Sequence, residues 1–368
     1  MGRAAAVWAI LAWAPACVGD EATESCEPIE HAFMSADPSD LVERTPGSLK
    51  FESGRFTHGV YPGGIDGWES DIEEAGVEAY VDVVGRDVAW VYFSNNWFEE
   101  PTFPSATVDW IHESARVPWI RLMLRSAVYG VSGPDPSFSV ERINAGDFDV
   151  QLRQWGQDAA AAGTPLIVEW GTEMNGVWFH WNASHNGGRD QGAQNFVLAY
   201  RRIVELISEG GADISWVFHA DVNDDPDVCW NRFERYYPGD DVVDWIALSA
   251  YGQLQPEQEW ESVDLMLDRA VPRVEIMAPG RPIVLAEFGM NHVRSEPEAA
   301  AYAGDAVADI LAGRWPALVG FSWWNETWEN DDDPTHDTDM RVQTGSVGPA
   351  LAEALDDPRV AISFAPGD

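Results

Sequence analysis

Residues 165–182 read PLIVEWGTEMNGVWFHWN, and the fold and the candidate site are both read outward from them. Behind the breaker Gly163-Thr164-Pro165, the run to Trp170 is short, apolar and β-branched, the pattern of a buried strand rather than a helix. Glu173 stands where that strand should end, followed by Asn175-Gly176 and by Trp178, Phe179, His180 and Trp181. A carboxyl set among indole rings is partly desolvated, which raises its pKa and suits it to act as a general acid. The same rings offer flat apolar faces on which a sugar ring can stack. A single Glu beside Trp is ordinary in a core strand; a second Glu in the same place on a later strand changes its meaning.

Strand-like and helix-like segments alternate on both sides of this stretch, which implies parallel strands joined by crossover helices. The expected strands are 56–60, 88–93, 119–124, 166–170, 214–219, 245–249, 283–286 and 318–323. Helical spacing is clearest where Phe196, Tyr200, Ile203 and Ile207 recur before Gly210-Gly211, and it continues at 148–162, 262–277, 297–311 and 347–355. Eight strands in this alternation fit an α/β (β/α)8 TIM barrel occupying residues 51–368 as one catalytic domain. A doubly wound open sheet fits less well, because no Gly-rich phosphate loop follows the first strand.

Ahead of the barrel, residues 1–16 have the shape of a secretory signal: Arg3, then an apolar run from Ala4 to Ala14 too short to span a bilayer. Ala14-Pro15-Ala16-Cys17 suits two processing routes, cleavage after Ala16 or lipidation of Cys17, although a lipobox usually has Leu where Ala14 stands. Either route exports the chain, to be secreted or held as a cell-surface or periplasmic lipoprotein, in an oxidising compartment. Cys26 and Cys229 then remain and could pair. Residues 17–50, acidic and broken by Pro28, Pro38 and Pro46, read as a flexible tether.

With 62 acidic against 22 basic residues the net charge is -40. Such a surface repels phosphate backbones and anionic headgroups, which counts against nucleic acid and against membrane contact except through a lipid anchor. A neutral ligand fits better. Nineteen tryptophans are many for 368 residues, and several fall at expected strand ends, where exposed indole calls for a partner.

In a barrel the C-terminal strand ends converge on one mouth. Those ends carry, in order, His58 and Tyr61; Asn95, Asn96 and Trp97; Arg121 and Arg125; Glu173; His219 and Asn223; Tyr251; Glu287; and Trp323, Trp324 and Asn325. Glu173 and Glu287 would then face each other across the mouth. Two carboxyls flanking a glycosidic bond are what glycoside hydrolysis requires, and in the retaining mechanism they lie roughly 5–5.5 Å apart. The attacking group must be ionised; Tyr251 could hydrogen-bond it and Arg121 add a positive field, which suits Glu287. Glu173, beside Trp178, suits the acid.

The segments EMNGVWFHW, FVLAYRRIVELISEGGADISWVF, YYPGDDVVDWIALSAYG and PIVLAEFG, in that order, resemble glycoside hydrolase family 26, a clan A group that includes β-mannanases and mixed-linkage β-glucanases. The resemblance runs from about Phe56 to about Asn330. It implies a retaining glycosidase with Glu173 as acid/base, Glu287 as nucleophile, Tyr251 in contact with the nucleophile, and Trp178 and Trp324 as subsite aromatics. Asn175, Arg121, His219, Trp97 and His58 are the remaining candidates for contact with substrate. Thr172 departs from the pattern: the family's mannanases carry histidine before the acid/base, and others of the clan asparagine. A hydroxyl is shorter and bonds differently, so the resemblance leaves β-mannan and mixed-linkage β-glucan both open.

The expectation is a monomeric endo-acting hydrolase of β-linked polysaccharide, without cofactor or metal. Asp331-Asp332-Asp333 with Asp337 and Asp339 do not match an EF-hand loop, and neither His185 nor His292 has a second histidine at ligand spacing. The rival is a catalytically inactive carbohydrate-binding barrel on the cell surface, disfavoured because both carboxyls are present.

Overall fold

The computed structural model describes residues 26, 42–65, 68–127, 133–255, 258–293 and 296–365. The signal at 1–16, Cys17 and the tether as far as Asp40 and Leu41, apart from Cys26, lie outside the described residues.

Eight parallel strands close into a barrel: β1 (Phe56–Tyr61), β2 (Trp90–Asn96), β3 (Val117–Met123), β4 (Leu166–Trp170), β5 (Ile214–Asp221), β6 (Trp245–Tyr251), β7 (Ile283–Gly289) and β8 (Leu318–Trp324). Each pairs with the next, and β8 returns to β1 through Thr57↔Gly320 to Tyr61↔Trp324. The outer layer is α1 (Glu74–Val84), α2 (Ser105–Glu113), α3 (Val140–Ala145), α4 (Asp149–Ala162), α5 (Gly188–Ser208), α6 (Val263–Met277), α7 (Glu296–Leu311) and α8 (Val347–Leu355). The (β/α)8 fold expected from the alternation is therefore present. Of the additional short strands β9 (Thr327–Trp328), β10 (Thr338–Asp339) and β11 (Val360–Ala361), β9 and β10 form a hairpin beyond β8, and β11 adds to the start of β1.

Local chemistry explains the helices. In α5 the spacing of Phe196, Tyr200, Ile203 and Ile207 puts all four on the buried face. The Ser262 side chain accepts the Leu265 N–H and starts α6. Gly163, at φ 65, ends α4 in the left-handed conformation that glycine adopts without steric cost.

Most strands run further toward their C-terminal ends than apolar patterning predicts. Asn95 and Asn96 lie inside β2, Tyr251 ends β6 and Glu287 lies inside β7. The backbone ladder continues after the side chains turn polar, as Ser249↔Glu287 and Tyr251↔Gly289 show. Helices α1 to α3 lie outside the spans expected from helical spacing, although α1 buries Val77, Tyr80 and Val84 along one face.

Many of the tryptophans are core, not surface. Trp90, Trp119, Trp155, Trp170, Trp181, Trp216 and Trp323 are fully buried. Trp90, Trp119 and Trp245 meet inside the barrel, and Phe51 and Phe364 join them, with Phe364 at 5.8 Å from Trp90 and 5.6 Å from Trp245 between ring centroids. Indoles this large fill the space enclosed by eight strands, and two of them find partners there: Trp90 Nε1 donates to Ser322 Oγ at 2.7 Å and Trp119 Nε1 to Glu169 Oε2 at 3.3 Å.

Residues 42–50, expected in the tether, are docked on the barrel. Arg44 makes a two-pronged ion pair with Asp244 at 2.8 and 3.0 Å, Val42 N–H donates to Asp241, and Lys50 bridges to Ala365. A bidentate, nearly buried guanidinium holds the chain in place despite its polar, proline-broken sequence. Cys26 is joined to Cys229 by a disulfide, with their Cα atoms 5.3 Å apart, which ties the segment before the barrel to the loop after β5.

Candidate active site

Glu287 projects from β7 and is 5% exposed. Arg121 Nη1, from β3, donates to its Oε1 at 2.7 Å, and the Tyr251 hydroxyl, at the end of β6, donates to Oε2 at 2.7 Å. Both carboxylate oxygens are thus held, which fixes the plane of the group. Tyr92 of β2 approaches Oε1 at 3.5 Å, and Trp324 lies beneath the Arg121 guanidinium, 5.3 Å from the ring centroid.

Glu173 sits just past β4, 8% exposed, with φ 48. A left-handed backbone costs a non-glycine residue on the order of 1 kcal/mol, and neighbouring bonds hold it there. Glu173 N–H donates to His219 O at 2.9 Å and Glu173 O accepts from Gly176 at 2.9 Å. The Trp178 indole N–H donates to Glu173 Oε2 at 2.6 Å, while its ring is 42% exposed. That approach needs Gly176, where a Cβ would come within 2.2 Å of the ring.

The two acids belong to one electrostatic site. Burial, and then the negative charge of Glu173, push the Glu287 carboxyl up to about 7, against the pull of Arg121, His219 and the Tyr251 hydrogen bond. The carboxyl expected to attack is thus itself raised. Glu287 lies deeper in the mouth, so burial weighs heavily on it, and a second anion in the same site opposes its charge. Asp221, at the end of β5, is also raised well above the usual carboxylate range by burial and by Glu173.

The other sequence candidates divide by burial. Trp324 is 5% exposed and stacks on Tyr61 at 4.0 Å, within reach of the Glu287 environment. Thr172 and His219 are fully buried and bond inward: Thr172 Oγ1 donates to Glu169 Oε1 at 2.8 Å and meets His219 Nδ1 at 2.7 Å, and His219 Nε2 meets Ser249 Oγ at 2.8 Å. Burial opposes charge on His219, but Glu169 raises its pKa overall, so the two form a buried ion pair. Neither Thr172 nor His219 presents an atom to a sugar; they support the strands that carry the acids. Asn175 is likewise fully buried, and its side chain ties the loop after β4 to that after β5 through Asp221 O, Asn223 O, Asp224 Oδ1 and Asp221 N–H.

His58 and Trp97 do not belong to the mouth. His58 faces the helix layer, its ring near Tyr80 and Phe321, because alternate residues of a strand point to opposite faces. Trp97 is 2% exposed and packs edge-on against Phe138 and Phe148. His185 bonds to Val177 O, and His292 to Thr344 and Asp339. Asp339 also pairs with Arg341, and Asp331 with His336. Among the described residues no group of three or more His, Cys, Asp or Glu is arranged to hold a metal ion.

Residues that the sequence did not single out complete the site: Glu69, bound to Arg121 and Arg125; Glu169, bound to Tyr92, Thr172 and His219; Ser249; and Glu326, which takes the Tyr61 hydroxyl and the Gly64 N–H at 3.0 Å each. Glu169 was detectable as the one charged residue inside the apolar run LIVEW. Glu69, in a loop with no periodic pattern, was not.

The chain matches the model of Glycosyl hydrolase family 26 over residues 136–281. It is 24% identical over 290 residues, 77% of its own length, to Endoglucanase H of Acetivibrio thermocellus, and 29% identical over 161 residues, 42% of its length, to Mannan endo-1,4-beta-mannosidase A and B of Caldalkalibacillus mannanilyticus. These matches span only 30% and 27% of the relatives' own length. Among solved structures, the Bacillus subtilis mannanase BCman superposes with a TM-score of 0.58 at 15% identity, covering 86% of this chain and 91% of that one. Family model, sequence relatives and barrel fold agree, and the resemblance to glycoside hydrolase family 26 read from the four segments holds.

Proposed function

We propose that the protein is an exported, retaining, endo-acting glycoside hydrolase of β-linked polysaccharide, β-mannan or mixed-linkage β-glucan. The observation that carries this reading is the convergence of Arg121 and Tyr251 on the two oxygens of Glu287, with Glu173 acting on the same carboxyl and its own oxygen set by the exposed Trp178 indole. Glu287, held in plane, attacks the anomeric carbon. Glu173 gives its proton to the departing oxygen, then takes one from the water that releases the glycosyl enzyme. The Trp178 ring face, beside Glu173, supplies a stacking surface for the sugar on the leaving side. Relatives named as an endoglucanase and as mannan endo-1,4-beta-mannosidases support the β-glucan and β-mannan alternatives. Because Thr172 is turned inward, the choice between them rests on other residues of the cleft. The Cys26–Cys229 disulfide supports export to an oxidising compartment.

Release of reducing ends by the purified protein is to be measured on mannan, glucomannan, barley β-glucan, xylan and laminarin, with the anomeric form of the first product followed by NMR. Cleavage of a mannan or a β-glucan with a fast fall in viscosity, and a product that retains the β configuration, is the expected result. Oligosaccharide binding without release of reducing ends would instead identify a binding barrel, and an inverted product would remove the nucleophile role of Glu287.

A further inference from the structure

Arg121 has two carboxylate partners, not one. Its Nη1 donates to Glu287 at 2.7 Å, its Nη2 donates to Glu69, and its Nε reaches Ser94 Oγ at 3.0 Å. Glu69 follows β1 in the chain, is 9% exposed, and takes a left-handed φ of 63 that glycine would adopt more readily. That backbone is held by Ser94, whose N–H donates to Glu69 O at 2.8 Å and whose hydroxyl donates to Oε2 at 3.0 Å; Arg125 donates to the same oxygen at 3.1 Å. A buried carboxylate in a strained conformation, sharing a guanidinium with the central acid of the site, has no evident packing purpose.

We infer that Glu69 is a positioning residue that divides the charge of Arg121 between itself and Glu287, and so sets how strongly Arg121 holds the attacking carboxylate. The inference rests on the reading of Glu287 as nucleophile. A guanidinium paired to one carboxylate alone would stabilise its ionised form strongly and make it a poor nucleophile. With Glu69 on its other arm, Arg121 still aims Glu287 but neutralises it less. The groups facing Glu287 are Arg121 from β3, Tyr92 from β2, Glu173 after β4, His219 and Asp221 from β5, and Tyr251 from β6. Those facing Glu69 are Arg121, Arg125, Tyr61 and Glu326. Deleting the Glu69 charge removes a repulsion and frees a guanidinium, and both changes favour ionised Glu287. The two effects have the same sign.

The test is a 13C-carboxyl NMR titration of Glu287 in the full chain, for wild type, Glu69→Gln, Glu69→Asp and Arg125→Gln, beside the pH profile of kcat/KM on a glycan that wild type cleaves. Glu69→Gln should lower the Glu287 titration, and with it the acidic limb of activity, by about one pH unit, while Glu69→Asp stays near wild type. Arg125→Gln should move both upward, since Glu69 then draws more heavily on Arg121. This second variant keeps the test valid if Glu69→Gln does not fold. An unmoved or raised Glu287 titration in Glu69→Gln, or an unmoved or lowered one in Arg125→Gln, overturns the inference, as does a fall in activity equal at every pH, which a merely structural role predicts. The titration needs no turnover, so a wild type that cleaves nothing refutes the hydrolase reading and leaves the Glu69 result to be judged separately.

Discussion

Tyr251→Phe removes one hydroxyl and keeps the ring. That hydroxyl donates to Glu287 Oε2 at 2.7 Å, and Arg121 continues to hold Oε1. A hydrogen bond to a charged acceptor contributes about 1.5–3 kcal/mol, and part of that loss is recovered by Arg121 and by water entering the mouth. The remainder, a little over 1 kcal/mol, corresponds to roughly one pH unit. Because the bond favours the ionised form, its loss raises the Glu287 pKa, from about 7 in the wild type toward about 8. At pH 6 the ionised fraction would fall from about a tenth to about a hundredth, and at pH 9 it would change little. The acidic limb of kcat/KM should therefore move upward by about one unit, so that the defect is near tenfold at pH 6 and shrinks as pH rises. The assay is initial-rate hydrolysis of the polysaccharide that wild type cleaves, across pH 5 to about 9, with substrate well below KM. A loss of activity independent of pH, or a limb that moves to lower pH, would refute the assignment of Tyr251 as a donor to an ionised nucleophile. The shift is opposite in sign to that expected of Glu69→Gln, so the two variants check each other.

Glu173→Ala should nearly abolish polysaccharide cleavage yet retain glycosylation on activated aryl glycosides, with added azide restoring turnover as the β-glycosyl azide; no azide product would deny Glu173 the acid/base role. Asn175→Ala removes four hydrogen bonds between the loops after β4 and β5, and should cost about 2–4 kcal/mol in urea unfolding, while an unchanged midpoint would show that the loops hold without it. Among the described residues neither ring nitrogen of the fully buried His58 has a hydrogen-bond partner, and burial, then the Arg86 charge, lower its pKa from 6.5 to about 3. Its folded pKa is depressed, so the unfolded chain binds the extra proton: stability is intact above pH 6.5 and falls by on the order of 1 kcal/mol per pH unit down to about 3. His58→Phe should flatten that part of the stability profile measured by denaturant unfolding, and an unaltered slope would exclude His58 as its source.

The apolar runs and their alternation with helical spacing made parallel strands and crossover helices legible, because burial on both faces of a parallel strand imposes a near-continuous apolar pattern, and the count of eight favoured the barrel. The same order placed Glu173 and Glu287 at strand ends four and seven, where a closed barrel brings them to one mouth. The strand ends themselves were misjudged, since a hydrogen-bonded ladder does not stop where side chains turn polar. Alternation along β1 puts His58 and Tyr61, three residues apart, on opposite faces, but only the tertiary structure decided which face meets the cleft: His58 turns toward the helices and Tyr61 toward Trp324 and Glu326. It also turned Thr172, His219 and Asn175 inward, each matched by partners more than forty residues away or contributed by a neighbouring strand. Glu69 reaches Arg121 across 52 positions of chain, and that pairing follows from how a loop packs over the mouth. Periodicity records which face of an element is buried; it carries no record of which buried charge finds which partner, because that depends on distances set only when the barrel closes.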